Sequence, residues 1–459
     1  MRKTKITIAS VLALLGVYSV LDTWDIVPGV LTAEERIPKP EQFPSVRELH
    51  PQPDSVALEN GELAPLPDTG AITAALEALR DDERVRAGVV AADVRDLVTG
   101  EQLAALSPGR PSKPASVTKI LTETASLIEL GADATFPTTV QRAGEDLYLV
   151  GGGDVLLGAG ESDPNSTVGY AGLATLAQSA AQGLQSAGIT SATVHVDTSL
   201  FSGGAYASGV KEENRMWVME ASPIAINRSH NSDSMPTPDP AGVAGRTFAE
   251  ALSTQGITAT FDGVGVAPDE SQEIARVESA PLRQILEVMS KESDNTLADT
   301  LARLVAIHHG SDSTFDNIQG TFIDIFTEAG WPVDGLILRD GSGLSEDNRI
   351  APQLLAKILH DTWQCMASGE VCALESLPFS LPVATVDGTL TQRYWNTPLA
   401  GQVWAKTGSL STVRSLAGYV YTDAGRPLAF AIIVSDYPED EGFAIPVAID
   451  ETIVAISRS

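Results

Sequence analysis

Apolar residues fall at helical spacing in some stretches of the chain and in short runs between turn residues in others. Ile120, Leu121, Ala125, Leu127 and Ile128 follow the helical period, which predicts a helix over Ser116–Leu130. The same period predicts helices over Ala71–Leu79, Leu282–Met289, Asn295–His308 and, last in the chain, Ile445–Ile456. Asp68 or Thr69 is placed to cap the first of these. Short, partly β-branched runs at Val89–Val94 and Glu101–Leu106 flank Thr99-Gly100 and read as a hairpin. Gly401–Lys406, Ser415–Tyr421 and Leu428–Ser435 read as sheet strands.

Between Phe136 and Val266 the pattern changes. Glycine, serine and threonine become frequent, strands such as Asp146–Val150 and Thr193–Val196 are short, and one long helix stands out, Tyr170–Ala187. Residues 136–266 therefore read as an inserted β-rich region of one domain or two. The stretch Gly151-Gly152-Gly153-Asp154 lacks the lysine and hydroxyl residue of a phosphate-binding loop and reads as a turn. Strands and helices on both sides of the insert imply one α/β core assembled from both chain ends, residues 68–135 and 267–459. No internal repeat is visible.

Composition adds a compartment. The chain of 459 residues is 43% hydrophobic and 20% charged, as in folded soluble proteins, and carries a net charge of −30. So acidic a surface repels phosphate backbones and excludes nucleic acid as a partner. Met1-Arg2-Lys3-Thr4-Lys5 precedes an apolar run from Ile6 to Leu21, the order of an export signal. Residues 1–34 are thus a signal peptide or a signal anchor. The run is a little short for a membrane-spanning helix, which takes ~20 residues, and its best cleavage signal is Val17-Tyr18-Ser19. Residues 35–67, rich in proline (Pro38, Pro40, Pro44, Pro51, Pro53, Pro65, Pro67), suit an extended linker. The expected location is extracytoplasmic, secreted or anchored to the outer face of the cytoplasmic membrane, with membrane contact only through the N-terminal segment.

Neither cysteine, Cys365 or Cys372, lies near that segment, which excludes a lipoprotein. The two are close enough to close a small disulfide loop in an exported protein, or to stand as separate buried thiols. The six histidines show no metal-ligand spacing with cysteines or carboxylates, so neither a metal nor a cofactor is expected. His308 and His309, being adjacent, should point to different faces of their element.

Three short motifs carry the chemistry. Ser116-Val117-Thr118-Lys119 opens a predicted helix, and residues i and i+3 share a helix face, so the Lys119 amine can lie beside the Ser116 hydroxyl. A serine hydroxyl is a poor nucleophile until a base takes its proton, and a lysine serves only when burial or another cation lowers its pKa. Ser293-Asp294-Asn295 enters a second helix: Ser293 can relay a proton, and Asn295 has the donor and acceptor to hold a substrate amide. Lys406-Thr407-Gly408-Ser409 lies on a predicted strand. Lys406 supplies the second cation and attracts a terminal carboxylate, which Thr407 and Ser409 can hydrogen-bond. Gly408 lets a substrate backbone come close. The backbone amides of Ser116 and Ser409 are candidates for an oxyanion hole. Each motif alone is common; the three in this order are not.

This set, in this order, is similar to that of class A β-lactamases and penicillin-binding proteins. With Pro114-Ala115-Ser116 and Lys119-Ile120-Leu121-Thr122, Asp340-Gly341-Ser342-Gly343-Leu344-Ser345, Leu381-Pro382-Val383 and Asp387-Gly388-Thr389-Leu390, the chain resembles one group in particular. These are the low-molecular-mass (class C) penicillin-binding proteins of the D-alanyl-D-alanine carboxypeptidase/endopeptidase type, peptidase family S13. The resemblance covers roughly residues 70 to 459. The long insert between Lys119 and Ser293 fits this family and argues against a β-lactamase. The resemblance implies a serine β-lactamase/transpeptidase-like core, an antiparallel sheet flanked by helices. It also implies a hydrolase that removes the terminal D-alanine of peptidoglycan stem peptides or opens their cross-links, with β-lactams as covalent inhibitors. Carried over motif by motif, Ser116 is the nucleophile, Lys119 the base and Ser293 the shuttle. Asn295 and Thr407 contact substrate, and Lys406 is the electrostatic anchor.

Two alternatives stay open: a non-hydrolytic wall-binding protein, which predicts decayed motifs, and a β-lactamase or esterase on the same scaffold, which predicts rapid release of bound penicillin. One position departs from the pattern. Where relatives commonly carry an arginine that contacts the carboxylate of diaminopimelate, this chain has Glu346, with Asp347 beside it and Arg349 nearby. A carboxylate there repels that group and favours a neutral or cationic one, unless Glu346 is merely a solvated loop residue.

Overall fold

Pro427–Ser435 is a run of apolar and β-branched residues with no polar side to offer water, and every residue in it is buried. Such a strand has to sit in the middle of a sheet with both faces covered. The computed structural model describes residues 63–459 apart from 86, 231–234, 370 and 440–441, and there this strand is the central one. The expected export segment (1–34) and most of the expected linker (35–67) lie outside the described residues.

In chain order the elements are α1 (Thr69–Asp81), β1 (Val89–Asp96), β2 (Gln102–Leu106), α2 (Thr118–Glu129), β3 (Pro137–Ala143) and β4 (Asp146–Gly151). Then come α3 (Leu173–Ser186), β5 (Ser191–Asp197), α4 (Pro240–Thr254), β6 (Thr258–Val264), β7 (Gln272–Glu278), α5 (Leu282–Lys291), α6 (Asn295–His308) and α7 (Ile318–Glu328). The last are α8 (Pro352–Ala367), the single turn α9 (Leu377–Ser380), β8 (Val403–Leu410), β9 (Val413–Tyr421), β10 (Pro427–Ser435) and α10 (Ile445–Ser457).

The first sheet has the order β2-β1-β10-β9-β8 and is antiparallel throughout. It is the α/β core built from both chain ends. On one face the apolar sides of α1 and α10 meet it, through Ile72, Leu76, Leu79, Ile449, Ile453 and Ile456. On the other lies α8, where Trp363 packs on Tyr419 and the Tyr419 hydroxyl donates to the Leu359 carbonyl at 3.0 Å. β8 is an edge strand, so one side of Lys406-Thr407-Gly408 is free of sheet pairing.

The second sheet, β6-β5-β4-β3-β7, is made only from residues of the inserted region and is mixed. β4, β5 and β6 run parallel, while β3 pairs antiparallel with β4 and β7. Its last strand runs to Glu278, past the expected limit at residue 266. It is also less β-rich than its composition implies, because α4 joins α3 against it through Phe248 and Leu252. The helical pattern of α4 is masked by Gly242 and Gly245. Gly245 is there because a Cβ would collide with Phe261 and Val196 of the sheet below.

Cys365 and Cys372 form a disulfide at the end of α8. His308 and His309 do not diverge as their adjacency implied. They sit where α6 ends, and both imidazoles reach one carboxylate, Glu129, at 3.4 and 3.2 Å. Among the described residues no helix is long and apolar enough to cross a membrane.

The two ends of the chain are locked at the base of the first sheet. Arg426, just before β10, donates through Nε and Nη2 to the two oxygens of Asp96 at the end of β1, both at 2.7 Å, and through Nη1 to the Ala64 carbonyl at 2.9 Å. The Asp96 side chain is fully buried and the Arg426 side chain 4% exposed. Removing one partner of such a pair strands the other charge away from water. Asp96→Asn is therefore expected to lower the unfolding free energy by about 3–5 kcal/mol, read from the midpoint of urea denaturation. A loss inside the error of the measurement would mean that the pair does not hold the sheet together.

Candidate active site

The three motifs converge. Ser116 lies in a one-turn 3-10 helix, Ala115–Val117, and not in the α-helix expected for it; α2 starts two residues later. Ala115 before it has a left-handed backbone, φ +50°. The turn is held by Ser415, whose hydroxyl donates to the Pro114 carbonyl at 2.6 Å, and by Thr118, whose hydroxyl donates to the Ala115 carbonyl at 2.8 Å. Two glycines press on it: a Cβ at Gly343 would strike the Ala115 carbonyl, and one at Gly408 would strike the Ser415 hydroxyl and the Pro114 carbonyl. Gly408 is thus required by the chain's own packing around the serine turn, a reason different from the close substrate approach read from the sequence.

From the first turn of α2, Lys119 Nζ donates to Ser116 Oγ at 3.1 Å, to Asn295 Oδ1 at 2.8 Å and to the Ser342 carbonyl at 2.9 Å. The lysine is fully buried. Burial pushes its pKa down to about 8, against the pull of the Asp299, Asp294 and Asp340 carboxylates. An amine with that pKa is partly neutral near pH 7 and has a lone pair for the serine proton. Of the two causes open from the sequence, burial or a nearby cation, burial is the leading one here.

Asn295 is the first residue of α6. The Asp294 side chain caps that helix by accepting from Leu297 N at 2.8 Å. With its Oδ1 on Lys119, Asn295 donates through Nδ2 to the Trp217 carbonyl at 2.9 Å. Ser293 precedes the helix with φ +56°, and Lys406 Nζ, arriving from β8, donates to its hydroxyl at 2.9 Å. Lys406 is also fully buried, and burial together with the charge of Lys119 holds its pKa well below the lysine range. Thr407 Oγ1 donates to Thr389 Oγ1 at 2.8 Å, and Ala405 N to the Pro382 carbonyl at 3.0 Å. The Leu381–Leu390 phrase therefore backs the β8 strand.

Ser116, Ser293, Asn295, Ser409, Gly343 and Leu344 line an open cleft together with Trp217, Arg414 and three acidic residues, Glu213, Glu346 and Glu439. The two lysines lie under its floor. Glu346 is not a solvated loop residue. Its carboxylate meets Lys211 Nζ at 2.6 Å and Lys113 Nζ at 3.9 Å, so it enters the cleft as one member of an ion pair. Among the described residues no group of three or more His, Cys, Asp or Glu side chains is arranged to hold a metal ion.

Several contributors have no motif of their own. The Ser342 carbonyl is presented to Lys119 by a loop wound on the buried Asp340. That carboxylate accepts from Gly343 N at 2.7 Å, Ser345 N at 2.6 Å and Asn348 Nδ2 at 2.8 Å. Thr122 fastens the same loop from α2, donating to the Gly341 carbonyl at 2.6 Å. Glu123, one residue further on, is fully buried and accepts from the Ser290 hydroxyl at 2.8 Å. Burial pushes its carboxyl up to about 8, with Ser380, Ser290 and the Lys406 charge pulling it only part of the way back. Two buried lysines, Lys119 and Lys406, thus lie beneath the cleft between two buried carboxyls, Asp299 and Glu123, whose pKa values burial raises. The signals for these groups were faint: a polar residue on the apolar face of a helix for Glu123, and a glycine-rich phrase for Ser342.

The chain matches the D-Ala-D-Ala carboxypeptidase 3 (S13) family over residues 72–232 and 218–455. It is 33% identical over 389 residues to a carboxypeptidase of Mycobacterium tuberculosis, covering 82% of each chain. It is 34% identical over 383 residues to the carboxypeptidase DacB of Mycolicibacterium smegmatis, covering 81% of each. Among solved structures it superposes on penicillin-binding protein 4 of Haemophilus influenzae with a TM-score of 0.67 at 21% identity, covering 84% of this chain and 100% of that one. The same Haemophilus protein complexed with a β-lactam gives a TM-score of 0.62.

The buried Glu123 has a consequence for stability. A carboxyl that binds its proton more tightly in the folded protein than in the unfolded chain adds stability that is complete below its ordinary pKa of 4.5 and is lost as pH rises through about 8. Glu123→Gln keeps the shape and removes the titration. Its melting temperature relative to the parent protein is expected to climb between about pH 5 and pH 8 and to level off above. A difference that stays constant over that range would show that the carboxyl does not hold its proton inside the fold.

Proposed function

Because the chain belongs to the D-Ala-D-Ala carboxypeptidase (S13) family, we propose that Ser116 is its acylated nucleophile, Lys119 the base, and Ser293 with Lys406 the route of the proton to the leaving group. The protein is a serine-type D-Ala-D-Ala carboxypeptidase and a penicillin-binding protein. The observation that carries the residue assignment is the shared environment of Ser116 Oγ and Lys119 Nζ, 3.1 Å apart, with the amine fully buried and its pKa brought down to about 8.

In this reading the stem peptide lies in the cleft along the free edge of β8, its terminal carboxylate hydrogen-bonded by Thr407 and Ser409, while Lys406, buried beneath them, acts on Ser293 rather than on the carboxylate as read from the sequence. Neutral Lys119 takes the Ser116 proton as Oγ attacks the carbonyl of the penultimate D-alanine. The N–H groups of Ser116 and Ser409 receive the oxyanion. The C–N bond then breaks, and the amine of the terminal D-alanine leaves with the proton that Lys119 took from Ser116, passed on through the Ser293 hydroxyl, which Lys406 orients from 2.9 Å, so that Lys119 is neutral again. Water adds to the resulting ester with Lys119 again as base, freeing the shortened peptide and restoring the serine. A β-lactam enters by the same attack, but its amine stays tethered to the acyl group.

Cross-linked stem peptides present the same kind of bond, so endopeptidase action calls for no other residues. Action outside the cytoplasm follows from the substrate, and the N-terminal segment supplies either a cleaved signal or the one contact with the membrane.

At the cleft wall, the Lys211 and Lys113 ammonium groups offset the repulsion that Glu346 alone would exert on a carboxylate-bearing substrate side chain. The expected outcome is that free-acid and amidated stem peptides are cleaved with kcat/KM values within about threefold of each other, and that Lys211→Ala shifts the ratio about 3–10-fold toward the amidated peptide. An unchanged ratio in Lys211→Ala would mean that Glu346 does not sense the substrate. For the nucleophile, Ser116→Ala is expected to abolish covalent labelling by fluorescent penicillin and to cut D-alanine release by at least about 10³-fold, with the melting temperature kept. Labelling that survives this substitution would remove Ser116 from its role.

A further inference from the structure

Ser293 is held in an unfavourable backbone conformation, and the group that holds it comes from another part of the chain. The turn Asn227–Ser229, in the inserted region between β5 and α4, has three successive non-glycine residues with left-handed backbones, φ +42°, +57° and +55°. Such residues persist only where their surroundings over-determine them, and they gather at sites where an exact aim matters. Here two strand-like bonds fix the turn, Asn227 N to the Leu157 carbonyl at 3.0 Å and Arg228 N to the Val155 carbonyl at 2.6 Å. What the turn aims is the Arg228 guanidinium, whose side chain is 7% exposed. Asn227 Oδ1 steadies it by accepting from Nε at 3.3 Å and Nη2 at 3.0 Å. Its Nη1 donates to Glu292 Oε2 at 2.5 Å and to Asp294 Oδ2 at 3.0 Å.

Glu292 and Asp294 are the two neighbours of Ser293 in sequence. One guanidinium therefore grips both sides of a serine whose own φ is +56° and whose hydroxyl receives Lys406 Nζ. Glu292 N also donates to the Val288 carbonyl at 3.0 Å and Asp294 N to the Met289 carbonyl at 2.9 Å, so losing the arginine loosens the aim of the Ser293 hydroxyl at Lys406 without freeing the whole turn. Asp294 would keep its role as the cap of α6 through its other oxygen, so the helix does not depend on the arginine. We propose that Arg228 is a positioning residue for acyl transfer: the inserted region reaches into the core and sets the Ser293 hydroxyl in line with Lys406. This rests on the assignment of Ser293 as the proton shuttle.

A double-mutant cycle isolates the effect, because a residue that acts through Ser293 has nothing left to act on once that hydroxyl is gone. The rate of Ser116 acylation by fluorescent penicillin and the rate of D-alanine release are measured for the full chain and for Arg228→Gln, Ser293→Ala and the double variant. Arg228→Gln is expected to slow both about 10–100-fold with Ser293 present and less than about threefold in the Ser293→Ala background. An equal loss in both backgrounds, with Ser293→Ala itself slow, would overturn the proposal and leave the shuttle intact. Ser293→Ala as fast as the parent protein would instead overturn the shuttle, and the proposal with it. Should Arg228→Gln fail to fold, Glu292→Gln decides alone, since the Glu292 side chain is 55% exposed and tolerates the change. It is expected to slow acylation about 3–10-fold only while Ser293 is present, and no loss, or the same loss without Ser293, would overturn the proposal.

Discussion

Two amines have been taken out of water within one small region, and most of the structure around the cleft answers that fact. Desolvating an ammonium group costs several kcal/mol even after relaxation, so each lysine must be given partners or be allowed to lose its proton. Both happen. Lys119 spends its hydrogen bonds on a hydroxyl, an amide oxygen and a backbone carbonyl, and Lys406 on a hydroxyl and its own neighbour's carbonyl. Three carboxylates stay close enough to keep the first from becoming a permanently neutral amine. The result is an amine that can give up its proton near neutral pH rather than a fixed cation, as the role proposed for Lys119 requires.

The same demand explains why parts far apart in sequence had to meet. The partners of Lys119 come from the turn before α2, from α6 and from the loop before α8, and Lys406 comes from an edge strand near the chain's end. The acidic character of the molecule, −30 overall, is not spread evenly. Lys113 and Lys211 stand against Glu346 where the cleft opens, so an anionic peptide meets a wall that is close to balanced. Bulk charge alone excluded nucleic acid but said nothing about this local compensation.

How much of this was legible can be judged element by element. The hairpin of Val89–Leu106 follows from spacing, as does α2, except that its expected start at Ser116 is a 3-10 turn; of the two caps open for the first helix, Asp68 is the one used. The serine, the two lysines and the asparagine were readable because reaction chemistry restricts which residue types serve. α4 escaped because the glycines that let it pack on β5 and β6 also erase its helical signature. Gly408 was placed correctly but for another reason, since its need for space lies in the turn before Ser116. Glu123, Ser342 and Arg228 act through burial, a carbonyl and a contact between distant segments. Local pattern gave only a faint sign of the first two and none of Arg228, because each contact is created only when the segments fold against one another.

The antiparallel core draws β1 from near one end of the chain and β10 from near the other. A chain still being made would carry Val89–Asp96 with no partner on its inner edge, and Ser116 beside a Lys119 still open to water. Reactivity then begins only when the last strands have arrived. The pairing of β1 with β10 thus makes the last strands to be synthesised the ones that complete the site.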